Sequence, residues 1–136
     1  MSAGKLISSL MHSRTQAHVF HLRTKSFAAH KALQGYYEGI VPLLDQYAEA
    51  YQGRYGLISG YTVGAPINQN PMNAKSYFKR VLSVIEKTKI PKGDTYLSNI
   101  RDTIYQLVYQ TLYMLSLDQP SKMARRNRSP TNNRRK

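Results

Sequence analysis

Cysteine is absent from the 136 residues, and acids are few: seven Asp and Glu stand against twenty Lys and Arg, for a net charge of +13. Without cysteine there is no disulfide frame, no thiolate nucleophile and no thiolate metal site, so a bound metal would have to rest on His and carboxylate ligands. No apolar run approaches the ~18 residues of a membrane span. There is also no glycine-rich loop ending in Lys-Ser/Thr and no GxSxG, which removes the P-loop and serine-hydrolase readings. The length suits one domain with its own core. The expectation is a soluble, cytoplasmic protein, not membrane-bound, whose available chemistry is that of histidine and carboxylate.

The positive charge is unevenly placed. Residues 1–118 carry thirteen bases and all seven acids, a net of +6, whereas 119–136 carry seven bases and no acid, a net of +7. Those seven are Lys122, Arg125, Arg126, Arg128, Arg134, Arg135 and Lys136. Met123 and Ala124 are the only aliphatic residues of that segment, and Pro120 and Pro130 interrupt it, so its composition predicts a disordered basic tail. A one-signed run of this kind suits DNA or another polyanion, because cations at phosphates release counterions without needing a fixed fold. A solvated, solubilising tail is the alternative reading.

Upstream of the tail the apolar residues keep a helical period throughout. Leu6, Ile7, Leu10, Met11, Ala17 and Phe20 predict a first helix from Ser2 to about Arg23. Thr24-Lys25-Ser26 breaks it, and Ser26 is suited to cap a second helix that runs to about Gly53 on the stripe Ala29, Leu33, Tyr36, Ile40, Leu44, Tyr47, Tyr51. Pro42 falls inside that stripe without shifting its phase and predicts a kink or an unpaired carbonyl. Four glycines and two prolines between Gly53 and Met72 predict a long crossover along an end or side of a bundle. Asn73 opens a third helix through Tyr77, Phe78, Val81, Leu82 and Ile85. Asp94 or Thr95 caps a fourth, with Leu97, Ile100, Ile104, Leu107, Val108, Thr111, Leu112 and Leu115 inward and Tyr105, Tyr109 and Tyr113 as a second ridge. The fold expected is all-α: a four-helix bundle with a long connection between helices 2 and 3.

Three of the four histidines, His18, His21 and His30, cluster around the first helical turn, while Asp45 and Glu49 share a face of the second helix. His21, His30, Asp45 and Glu49 are ligand types for iron, manganese or zinc. His30 and Asp45 are ~22 Å apart along one helix, so a single chain cannot close such a site. An antiparallel pairing of the second helix with its copy across a two-fold axis would bring the two halves together.

The segment HVFHLRTKSFAAHKALQGYYEGIVPLLDQYAEAY resembles the DNA-protecting ferritin-like proteins (the Dps group). It has a His on the first helix, an aromatic shortly before a His opening the second (Phe27 and His30), and Asp and Glu at fifteen and nineteen residues after that His. The short turn and the wording Thr-Lys-Ser-Phe-Ala-x-His are closer still to a small ferritin-like family encoded by tailed phages. The resemblance implies a ferritin-like bundle that assembles as a homo-oligomer, with a di-iron site between subunits. His21 would be the first ligand, with His18 competing for that place, joined by His30, Asp45 and Glu49. It implies a ferroxidase using oxygen or peroxide, with Tyr37 or Tyr47 as a transient electron donor, and a tail that binds nucleic acid. The alternative is a non-enzymatic component of a phage virion or its genome packaging, contacting other phage structural proteins and keeping the bundle as an assembly module.

Deleting residues 119–136 should remove most salt-sensitive DNA binding and flatten the dependence of log K on log salt. Binding that survives the deletion with an unchanged salt slope would place the contact on the +6 body instead.

Overall fold

The computed structural model describes residues 2–117; the seven tail cations named above lie outside them. Four α-helices form: α1 (Ala3–Arg23), α2 (Phe27–Tyr55), α3 (Ala74–Lys87) and α4 (Thr95–Leu117), with a 3-10 turn at Pro71–Asn73 ahead of α3. No strand occurs among the described residues. The ends follow local chemistry. Ser2 and Ser26 accept the Lys5 and Ala29 amides through their side-chain oxygens, at 3.3 and 3.0 Å, and so start α1 and α2. Asn73 holds the N-cap position of α3 but makes no side-chain cap bond; Asn70 does the capping three residues earlier, accepting the Met72 amide at 3.0 Å. Asp94 precedes α4, and its carbonyl accepts the Leu97 and Ser98 amides.

Helix α1 packs on α2, α2 on α4, α4 on α3 and α3 on α1, leaving α1 and α4, like α2 and α3, on the diagonals. Tyr77 near the start of α3 meets Phe20 near the end of α1, and Tyr55 at the end of α2 reaches Asp94 just before α4. The directions are therefore up, down, down, up, with the crossover joining diagonal neighbours, as the long connection predicts. The predicted α2 stripe faces inward: Leu33, Tyr36, Ile40, Leu44 and Tyr47 are buried, with Phe20, Phe78, Leu97, Ile104 and Val108 opposite. Pro42 lies inside α2 at an exposed position, so the Glu38 carbonyl it cannot pair faces solvent. Where α2 meets α4, Gly39 lets the Leu107 side chain approach to a distance at which even a Cβ would be tight, 3.3 Å.

The crossover does not cap an end of the bundle. It runs beside α1 in the same direction, fastened about once per helical turn. Ser8 Oγ accepts the Thr62 amide at 2.9 Å, His12 Nε2–H donates to the Ala65 carbonyl at 2.7 Å, and the Gln16 amide donates to the Asn68 carbonyl while accepting the Asn68 N–H. Arg23 closes the series on the Gln69 carbonyl at 2.6 Å. Four residues before Ser8, Gly4 makes room for the Ser59 carbonyl, which lies 2.0 Å from where a Cβ would stand. These bonds supply backbone partners to a segment that has no helix of its own before the 3-10 turn.

The polar groups inside the bundle are similarly matched. Ser13 donates to the Leu10 carbonyl or to the Tyr36 hydroxyl, both at 2.7 Å, and burial pushes Tyr36 well above the ordinary phenol range. At the far end the Tyr55 hydroxyl donates to the Asp94 carboxylate, joining the end of α2 to the start of α4 and pushing the Tyr55 pKa to about 12.

Two glycine substitutions should part company. Gly4→Ala forces the Ser59 carbonyl to move and should destabilise the chain by ~1–3 kcal/mol. Gly35→Ala, with nothing within 4 Å of the new methyl, should stabilise it by ~0.5–1 kcal/mol through helix propensity alone. Urea denaturation of both variants checks this, and equal midpoints would mean that the strap is not seated on Gly4.

Candidate metal centre

Three residues, Thr24-Lys25-Ser26, separate α1 from α2. The turn is closed locally: the Thr24 amide donates to the Phe20 carbonyl, and the Ser26 amide to Thr24 Oγ1 at 3.2 Å. So short a link brings the last turn of α1 level with the first turn of α2, and His21 and His30 face each other across the gap. Their rings stack with centroids 3.6 Å apart and planes 19° apart. His21 Nδ1 donates to the His30 carbonyl at 2.7 Å, and His30 Nδ1 donates to the His21 carbonyl at 2.8 Å.

The tautomer follows from this exchange. A carbonyl oxygen can only accept, so each Nδ1 carries the hydrogen, and in the neutral ring each Nε2 is left with a lone pair. A metal-binding histidine typically has this posture, one ring nitrogen held by a backbone carbonyl and the other free to ligate. His12 is held the other way round, its Nε2–H on the Ala65 carbonyl and its Nδ1 against the Tyr77 hydroxyl at 2.8 Å. Both its nitrogens are occupied, which makes it a fastening for the crossover rather than a free ligand.

His18, one turn before His21, stacks on Tyr37 at 4.2 Å and meets His21 edge-on at 5.8 Å. Tyr37 also packs edge-on against His21 at 5.2 Å. Of the two tyrosines considered as electron donors, Tyr37 borders the histidines. Tyr47 is buried in the core, where burial pushes its pKa upward. His21 is buried, while His18 and His30 are half-buried and reachable from outside.

Asp45 and Glu49 are both exposed, on the stretch of α2 that leads away from this cluster. At 1.5 Å per residue they lie ~22 and ~28 Å beyond His30. The chain brings His21 and His30 together and leaves the two carboxylates elsewhere. Among the described residues, no group of three or more His, Asp or Glu side chains comes together to hold a metal. The fastenings Ser8, His12 and Gln16 were missed by sequence reasoning. Their signal was a small or polar residue at every fourth position of α1, starting at Gly4.

Residues 21–115 match the model of a family of unknown function, DUF5856. The chain is 29% identical over 117 residues to an uncharacterized 14.6 kDa protein of the mobD-ri intergenic region of Enterobacteria phage T4, an alignment covering 85% of this chain and 89% of that protein. No solved structure matches it. No helix among the described residues is long and apolar enough to cross a membrane.

The histidine assignments are open to direct measurement. Long-range ¹H–¹⁵N spectra at neutral pH should show His21 and His30 protonated at Nδ1 and His12 protonated at Nε2. An Nε2–H tautomer at His21 or His30 would remove the ligand posture.

Proposed function

The chain belongs to the DUF5856 family of unknown function, and on that premise we propose that it is a phage-encoded, ferritin-like bundle that binds iron between two copies of itself and nucleic acid through its basic tail. One observation carries the metal reading. His21 and His30 exchange Nδ1–H bonds with each other's carbonyls, which fixes both rings with Nε2 free. The exchange spends both Nδ1 hydrogens on the backbone and leaves both Nε2 lone pairs to solvent or to a ligand.

The donor set fits iron or another borderline divalent cation: two neutral imidazoles, with carboxylates from Asp45 and Glu49 of a second copy. Such an ion would supply one-electron chemistry toward oxygen or peroxide. The chain's own contribution is to hold the imidazoles, through the two carbonyls and the His18–Tyr37 stack, and to place Tyr37 within electron-transfer distance of His21. The +7 charge of residues 119–136 would keep this chemistry beside DNA.

A second reading, a non-enzymatic virion or packaging component, is favoured by the likeness to a phage protein and by the distance of both carboxylates from the histidines within one chain. The two readings separate on the carboxylates. Asp45→Ala combined with Glu49→Ala should abolish iron-dependent peroxide consumption and weaken ferrous binding by ~10–100-fold or more, with the helical circular dichroism unchanged. Peroxide consumption at the unaltered rate would remove the metal reading and leave the structural one.

A further inference from the structure

Helix α4 has a second seam. Its inward residues Leu97, Ile104, Val108, Thr111 and Leu115 are buried in the bundle. On the opposite side Thr103, Gln106, Gln110, Tyr113 and Leu117 recur at intervals of three, four, three and four, and all five are exposed. That is the a/d spacing by which one helix packs along another. The fifteen residues from Thr103 to Leu117 include no charged side chain. A solvent-facing helix in a protein this rich in Lys and Arg would ordinarily carry charges there, as α3 does with exposed Lys79, Arg80 and Glu86. Instead Tyr109, Tyr113 and Leu117 are 55, 64 and 63% exposed.

The seam residues Thr103, Gln106 and Gln110 form one wall of an open groove of about 310 Å³ between α2 and α4, faced by Pro42, Leu43 and Gln46. We infer that the α2–α4 face is a self-association surface, on which α4 of a second copy packs antiparallel across a two-fold axis with a tyrosine from each copy entering the groove of the other.

Three properties select a second copy over an unrelated partner. A two-fold contact requires one patch to carry both members of every pair. This face carries the exposed Tyr113, an open groove whose Gln110 wall is one turn away from it, and glutamines, whose amide donates and accepts and so pairs with its own copy. Each body carries +6 over residues 1–118, so two copies repel wherever cations meet cations, and this face lets them approach without that cost. Over the fifteen uncharged residues, ~22 Å of helix at 1.5 Å per residue, two adjacent helices ~10 Å apart present on the order of 450 Å² per copy, at the small end of specific interfaces. None of His21, His30, Asp45 or Glu49 lies on the seam, so the inference does not depend on the metal reading.

The cysteine-free background allows a direct test on the full-length chain. Gln106→Cys, Gln110→Cys and Tyr113→Cys are made singly, with Lys79→Cys on α3 as the control, and each is oxidised under mild conditions. At least one seam position should form a disulfide-linked dimer well ahead of Lys79→Cys, because a disulfide needs the two Cα atoms within ~7 Å. Separately, Tyr113→Lys and Gln110→Lys place like charges across the axis and should raise the dimer dissociation constant on the order of 100-fold by sedimentation equilibrium, with the circular dichroism of the wild type. Seam cysteines that cross-link no faster than Lys79→Cys would overturn the proposal. So would a wild-type chain that sediments as a monomer, which would leave the face to a different protein.

Discussion

The bundle depends on the seating of its crossover against α1. A connection from the end of α2 to the start of α3 must return the length of the molecule, and a strand-like segment can do so only if its backbone groups find partners. Ser8, His12, Gln16 and Arg23 supply them in order, and Gly4 gives the clearance at the starting end. With the connection on that flank, α3 can only begin beside the end of α1, and α4 is then returned against α2. The order up, down, down, up thus follows from one polar face of α1. The same helix is divided among three tasks: its apolar face fills the core, its small and polar face holds the strap, and His21 at its end reaches the turn.

How much of this the sequence carries depends on whether the cause is local or distant. The α1 and α2 starts, the α2 stripe across Pro42 and the length of the crossover were legible, because hydroxyl caps, a 3.6-residue period and glycine-proline composition all act within a few residues. The α3 start was half legible: Asn73 sits at the position expected of it, yet the capping bond comes from Asn70, because Pro71 begins a 3-10 turn there. The route of the crossover was not legible. It is decided by contacts between residues about fifty positions apart, such as Gln16 with Asn68. The proximity of His21 and His30 could be anticipated from the three-residue turn, but their exchange of Nδ1–H bonds could not, since it depends on the stacking of two rings and not on spacing.

The two ends of α2 illustrate what one chain can and cannot complete. Near its start a short turn concentrates imidazoles, and the backbone of each histidine orients the ring of the other. Farther along, Asp45 and Glu49 stand exposed, with no histidine brought to them by any element of the same chain. Helix rise makes this separation unavoidable: no bend at Pro42 could shorten ~22 Å to a ligand distance while the stripe on both sides of it stays in one core. Within one chain these histidines and these carboxylates stay apart.

Helix α4 is incomplete in a different way. A side chain on a helix surface costs little if charged and exposed, and more if apolar and exposed; a +13 chain with cations to spare places none of them on fifteen consecutive residues of its last helix. The bundle's own core uses one side of that helix and needs nothing from the other, so the absence of charge on the outer side is not explained by the monomer. An interface explains it, because each Lys or Arg there would be set against its own copy. The α4 seam uses none of the histidines or carboxylates, although its groove draws on Pro42, Leu43 and Gln46 of the helix that carries Asp45 and Glu49.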